Sequence, residues 1–405
     1  MLDIERIRKD FPMLNKEKPL IFFDNASTTF KPQCVIDAIN DYYCNYCSNI
    51  HDGDYAISHK AQRKFNEVRA KVAKFINCSP KEVCFTAGDT ASLNIIAYAL
   101  ADTLKAGDEV LLTVAEHASN ILPWFKKAQE IGIVIKYIPL TEEGRLTMEN
   151  VEKAITPKTK VISVANVTNV LGYSIDVKEL CKIAHAHNVL VVIDGAQSVP
   201  HIKTDVRDWN VDFLVFSSHK MYGPTGVGVL YGKYELLEQL TPPFMGGGMN
   251  NRFDTCGNYS LLLPPEKFEY GTQNIADVIG LGAAIDYINS IGIENIQAYE
   301  HSLKEYAVKR LLEEVPGIKI YNPHSDTEII TFNIDGIFAQ DLATHFSSYD
   351  ICVRSGQHCA KILLDFLQAP ATVRASFAVY NTKEEIDRFI EIAKRGDEYL
   401  DAFFK

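Results

Sequence analysis

The sequence predicts an α/β protein, in which a large, mostly parallel sheet domain is followed by a smaller α+β C-terminal domain. Three observations predict it. Apolar strand-like runs alternate with helical stretches from about residue 83 to residue 231, as in successive βα units. His117, Asn169, Asp194, Gln197 and Lys220 each fall just past a strand-like run, where parallel sheets collect ligand-binding groups. Beyond about residue 290 the pattern changes to helix, strand and helix, and 405 residues that are 47% hydrophobic suffice for two cores. The expected division is an N-terminal segment, 1–20, packed on the small domain; a large domain, 21–288; and a small domain, 289–405.

Taken in order, residues 3–18 read as a short helix and a linker, and Leu20–Asp24 as a strand running into the small polar turn Asn25–Thr29. Lys31-Pro32 opens a helix to about Cys47, since proline is preorganised for a first helical turn. Asn49–Tyr55 is a loop, and His59–Ile76 is a helix with Phe65, Val68, Val72 and Phe75 on one face. Val83–Thr86, Gly88 and the stretch from Asp89 read as strand, turn and helix start. Such a start offers free N–H groups to an anion. Strands are then expected at Glu109–Val114, Val134–Ile138, Lys160–Ala165, Val189–Ile193, Phe213–Phe216 and Val227–Tyr231, with helices at 121–131 and 177–187 between them. Gly246 to Asn274 reads as a long irregular loop. Helix 275–290, strand 329–334 and helix 339–348 follow.

Composition excludes several classes of function. A net charge of -11, a pI of about 5.5 and the lack of a long basic run exclude nucleic acid and an anionic membrane surface as partners. No apolar stretch reaches the ~20 residues that span a bilayer. The charged start Met1–Arg8 has no apolar signal core, so the cytoplasm is the expected location. Nine cysteines, an odd number, argue against a disulfide framework. Cys44-x-x-Cys47 has no second pair at metal spacing and reads as core or helix-face cysteines, so no metal is expected.

Chemistry concentrates in Val211–Tyr231. A buried strand ends in Ser217-Ser218-His219-Lys220, and Tyr222-Gly223-Pro224-Thr225-Gly226 then turns the chain. Alone, Lys220 would read as a solvated surface lysine. Desolvated at a strand end, its amine is freed to attack a carbonyl. Asp194 lies 26 positions earlier (220 − 194), one βα-type excursion away. An aspartate for a pyridine nitrogen and a lysine for an aldehyde form the pair that holds pyridoxal 5′-phosphate. In that arrangement His117 stacks on the ring and Gln197 donates to its phenolate oxygen. The Gly88-Asp89-Thr90 backbone and the Thr90, Ser217 and His219 side chains hold the phosphate. Capping or core packing is the alternative role for His117.

Ser-x-His-Lys-x-x-Gly-Pro-x-Gly at 217–226, preceded by Asp194-Gly195-Ala196-Gln197, resembles the class V aminotransferase family of fold-type I (aspartate aminotransferase-like) pyridoxal phosphate enzymes. More closely, the chain is similar to group II (SufS/CsdA-like) cysteine desulfurases. The likeness spans nearly the whole length, through Phe23-Asp24-Asn25-Ala26, Glu116-His117-x-x-Asn120, Asn169-Val170-Leu171-Gly172 and Gly246-Gly247-Gly248. It ends in Val353-Arg354-Ser355-Gly356-Gln357-His358-Cys359-Ala360 and Arg374–Asn381. The resemblance implies that Lys220 holds the cofactor and that Arg374 clamps the substrate carboxylate, with Asn169, Ala26, His51 and Arg354 assisting. It implies that Cys359, as a thiolate, takes sulfur from L-cysteine as a persulfide and leaves L-alanine, its thiol pKa lowered by Arg354, His358 or the cofactor system. It further implies a homodimer, Thr272 reaching the phosphate of the other subunit, and a SufE- or SufU-type protein accepting sulfur for iron–sulfur clusters or thiocofactors.

Several positions depart from that family's pattern. Asp89-Thr90-Ala91 stands where a carboxylate is usual at the third position. Asp52 and Tyr55 replace an arginine and a histidine, and Gln273 and Gln357 replace a proline and a histidine. These changes bear on substrate entry, persulfide transfer and partner docking. A selenocysteine lyase, a cysteine sulfinate desulfinase or another class V lyase or transaminase would keep the same cofactor set. A catalytically silent scaffold would keep only the fold.

Overall fold

The computed structural model describes residues 2–51, 53–396 and 398. Its main sheet joins β1 (Val83–Thr86), β2 (Glu109–Thr113), β3 (Val134–Ile138), β4 (Thr159–Ala165), β5 (Leu190–Asp194), β6 (Phe213–Ser217) and β7 (Gly228–Gly232). Their order is β1-β7-β6-β5-β4-β2-β3. The pairs among β2 to β6 are parallel, and β7 runs antiparallel to both its neighbours. The interior strands are buried on both faces, which is why they read as continuous apolar runs rather than alternating ones. β3, at the edge, is the exception and leaves Val134 exposed.

Helix α1 (Asp89–Ala101) springs from Gly88, whose φ of 148° favours glycine. Gly228 of β7 lies against this turn: a Cβ there would come within 2.4 Å of the Gly88 backbone. The start of α1 is therefore fixed against the sheet. Helix α2 (Ala118–Ile131) is capped by His117, whose Nδ1 accepts from Ser119 N at 3.1 Å, and ends at Gly132 in the left-handed region. Helices α3 (Ile275–Ile291) and α4 (Ile293–Glu314) meet at Gly292 with a 76° bend. Beyond them β8 (Ile318–Ile320), β9 (Ile329–Ile334), β10 (Arg354–Gly356) and β11 (Thr372–Ser376) form an antiparallel sheet in the order β8-β9-β11-β10. Among the described residues no single helix is long and apolar enough to cross a membrane.

Two expectations are corrected. Leu20–Asp24 does not form a full strand: Ile21–Phe22 pairs with Ile351–Cys352, and a single bridge joins Asp24 to Ser376 at the end of β11. Asn25 turns the chain away, its Nδ2 donating to the carbonyls of Phe22 and Ser376. The stretch 246–274 is not wholly irregular: Asn250–Phe253 pairs antiparallel with Tyr259–Leu261. Its turn is held by Asp254 Oδ1, which accepts from Cys256 N and Asn258 N. The hairpin is largely exposed, so it shows no apolar alternation that a sequence pattern could register. The N-terminal segment touches the C-terminal part of the chain and also the large-sheet part. Phe11 lies edge-on to Tyr222, Tyr287 and Tyr380, and Arg8 donates to Tyr380 O and pairs with Glu385.

Candidate active site

The carboxyl ends of β2, β4, β5 and β6 face β10 and β11 across a cleft of about 750 Å³, a size suited to a cofactor and a small substrate. Twelve of the expected site residues line it: Ala26, Asp89, Thr90, His117, Asn169, Asp194, Gln197, Ser217, His219, Lys220, Arg354 and Arg374. Sheet topology accounts for the gathering, since each parallel strand delivers its last residues to the same edge.

Lys220 sits on the helical turn after β6, where burial lowers its pKa, while Asp89 and Asp194 oppose that shift. Asp194 ends β5; burial raises its pKa, and Ala196 N donates to its Oδ1 at 2.9 Å. His117 both caps α2 and lines the cleft, so capping does not take it away from the site. Burial, then Lys220, Arg374 and Arg354, lower it to about 4, so it is neutral at pH 7. Its Nδ1 accepts from Ser119 N, which leaves the proton on Nε2. His219 is also lowered to about 4, by burial and by Lys220 and Lys31.

An anion cup adjoins the cleft at the start of α1, lined by Gly88, Asp89, Thr90, Ser217 and His219. Its donors differ from the expected set. Asp89 N already donates to Ser217 Oγ at 2.8 Å and Gly88 N to Thr86 Oγ1 at 3.3 Å. Thr90, whose hydroxyl shares a hydrogen bond with Ser119, and the Ser217 hydroxyl remain for a phosphate.

On the opposite wall Arg354 of β10 and Arg374 of β11 are direct cross-strand partners. Both donate to Ser27 Oγ, at 2.7 and 2.9 Å. Arg374 also reaches Asp24 Oδ1 and Asn169 O, while its Nε is buried without a partner. Two guanidiniums held side by side form a site for a carboxylate. His358, expected beside Cys359, also lines the cleft, as do Ser27 and Ser119, which the sequence did not single out for it. The polar turn 25–29 was the only signal for Ser27.

Cys359 is exposed, at the tip of the turn Gln357–Ala360, closed by Ala360 N donating to Gln357 O. His358 and Cys359 have φ of 52° and 56°, uncommon for residues with a side chain. Two bonds hold this strained turn at the cleft: Asn169 Nδ2 to His358 O and Ala118 N to Cys359 O, both 2.8 Å. Burial, then Arg374 and Arg354, lower His358 to about 3, and its Nε2 faces Thr372, so it supplies no positive charge to the thiol.

His51 and Thr272 do not reach this cleft. They line a separate one, of about 930 Å³, with Gly247, Gly248 and Asn250. Asp52 lies outside the described residues, and Tyr55 is exposed with its hydroxyl on Ser48. Cys44 and Cys47 are both exposed, not core, and only Cys84 and Cys181 are buried cysteines.

Pyridoxal phosphate fits the residues present. The cleft contains buried polar atoms without partners, Gln197 Oε1, Asn169 Oδ1 and Arg374 Nε, beside a lysine amine, a carboxylate and an anion cup. Gln197 Nε2 donates to Ala26 O at 2.7 Å and keeps a second N–H for the ring oxygen.

Comparison with known proteins identifies the family and the fold. The family model described as aminotransferase class-V matches residues 21–389. A probable cysteine desulfurase of Halalkalibacterium halodurans is 43% identical, with all of both chains covered. A cysteine desulfurase of Serratia proteamaculans is 40% identical over 98% of this chain and 99% of its own. Among solved structures, the apo cysteine desulfurase of Thermococcus onnurineus superposes with a TM-score of 0.93 at 38% identity, covering 98% of each chain. The Escherichia coli cysteine desulfurase CsdA gives 0.92 at 33%, covering 98% of this chain and 99% of that one.

Proposed function

We propose that this chain, which belongs to the class V aminotransferase family, is a pyridoxal phosphate-dependent cysteine desulfurase that converts L-cysteine to L-alanine and a persulfide on Cys359. One observation carries the assignment of roles. The turn bearing Cys359 is hydrogen-bonded to the rim of the cleft that contains Lys220, Asp194 and Arg374.

When bound, the cofactor withdraws electron density from the substrate α-carbon. Lys220 holds the cofactor through its amine and carries the proton to and from that carbon; burial keeps the amine available for the task. Asp194 would support the cofactor's ring nitrogen, and neutral His117 would pack against the ring. Thr90, Ser217 and His219 hold the phosphate. Arg374 and Arg354 hold the substrate carboxylate, oriented by Ser27 and Asp24. The Cys359 thiolate attacks the substrate sulfur. An S–S bond forms as the Cβ–S bond breaks, and the electron pair of that bond stays on carbon, which is protonated to give alanine.

The reading includes a homodimer in which Thr272 and His51 serve the partner's site, a SufE- or SufU-type sulfur acceptor, and a cytoplasmic location. It keeps the chain divided near residue 288, with the Cys359 turn on the C-terminal part. The test is peptide mass analysis after L-cysteine is added without reductant. The peptide containing Cys359 should gain one sulfur atom; a gain on another cysteine, or none alongside alanine formation, would overturn the role of Cys359.

A further inference from the structure

Asp89 is a carboxyl where none is needed to cap a helix or to hold a phosphate. It is 8% exposed, and its Oδ1 is buried without a hydrogen-bond partner. Its position is rigid. Its N–H is bound to Ser217 Oγ, and the preceding Gly88 backbone is pressed against Gly228. It lines both the cleft that contains Lys220 and the adjoining anion cup.

We infer that Asp89 is a second carboxyl partner of Lys220, one that sets the pH at which the lysine nitrogen loses its proton and ties cofactor affinity to pH. This rests on Lys220 being the cofactor lysine. The charged groups facing the cleft are Asp194 at the end of β5, Lys220 after β6, Arg354 on β10 and Arg374 on β11; His117, His219 and His358 are neutral at pH 7. Burial and Asp194 hold the Asp89 carboxyl protonated well above the usual range, while Lys220 draws it toward ionisation. Asp89, Asp194 and Lys220 therefore titrate as a cluster. Once ionised, the Asp89 carboxylate favours the charged form of Lys220 and keeps it protonated to higher pH. The same carboxylate faces the anion cup and repels a phosphate dianion, so the cofactor is held less tightly once Asp89 ionises.

The test is a pH titration of the cofactor's visible absorption in the wild type and in Asp89→Asn and Asp89→Thr, with the cofactor dissociation constant measured across the same range. Both substitutions should move the absorption midpoint down by about one pH unit or more, as expected for loss of a nearby opposite charge. They should also flatten the pH dependence of cofactor affinity. An unchanged midpoint and an unchanged affinity profile in both variants would overturn the role of Asp89. If wild type with added pyridoxal phosphate gives no visible band, the cofactor assignment itself fails, which is a distinguishable result.

Discussion

The backbone N–H of Ala118 donates to the carbonyl oxygen of Cys359 at 2.8 Å. Ala118 is the first residue of α2 and His117 its cap, so one helix start orders both the ring-covering histidine and the thiol-bearing turn. The bond can be removed selectively. Proline is tolerated at a first helical position, and His117 already has the extended backbone, φ −63° and ψ 146°, that a following proline demands. Ala118→Pro should keep the fold and the cofactor. It should lower turnover of L-cysteine about fivefold, the worth of one hydrogen bond of ~1 kcal/mol. Steady-state kinetics beside the cofactor spectrum check this.

Cys359→Ala should abolish alanine release from L-cysteine while leaving the cofactor spectrum intact. The side chain is exposed, so thermal stability should stay within about 0.5 kcal/mol of wild type. Cleavage of selenocysteine or cysteine sulfinate by this variant, measured by the same alanine assay, would identify substrates that do not need the thiol.

Arg374→Lys removes a planar donor set that reaches Asn169 O, Ser27 Oγ and Asp24 at once. Its KM for L-cysteine should rise roughly tenfold or more, since an ammonium cannot reproduce the fork. Arg354→Lys, which loses one bond to Ser27, should cost less. Kinetics at saturating cofactor separate the two.

His201 lies between two buried carboxyls, Nδ1 at 2.7 Å from Glu300 Oε2 and Nε2 at 3.4 Å from Glu328 Oε1. Burial opposes its charge, but Glu328 and Glu300 outweigh it and push its pKa up to about 9. A raised folded-state pKa means stability that is present below the unfolded value, near 6.5, and lost as pH rises through 9. Wild type should exceed His201→Gln in stability by on the order of 3 kcal/mol near pH 6. That margin should shrink as pH rises toward 9, offset in part by Glu328, whose carboxyl burial raises to about 7 and His201 draws back down. The depressed histidines, His117, His219 and His358, act in the opposite sense below about pH 6.5 and are common to both proteins. Urea unfolding at several pH values measures the margin.

The large sheet was legible because its strands are apolar on both faces and each ends in a polar punctuation, as at Asp194 and Lys220. The hairpin around Asp254 was not, because exposed strands carry no burial pattern. Lys220, Asp194 and His117 were legible as strand-end residues. Ser27 was not, because its role depends on two arginines more than 300 positions away. Nor was the loss of Asp89 N to Ser217, since local sequence predicts a free N–H at a helix start but not a hydroxyl brought in by another strand.

The most direct test is alanine formation from L-cysteine by the cofactor-loaded wild type and by Cys359→Ala, with the visible spectrum recorded for both. A desulfurase working through Cys359 gives the cofactor band in both proteins, with alanine and reductant-released sulfide in equal amounts from the wild type alone. Alanine from Cys359→Ala at the wild-type rate, or a wild type that binds the cofactor yet leaves L-cysteine untouched, would contradict it.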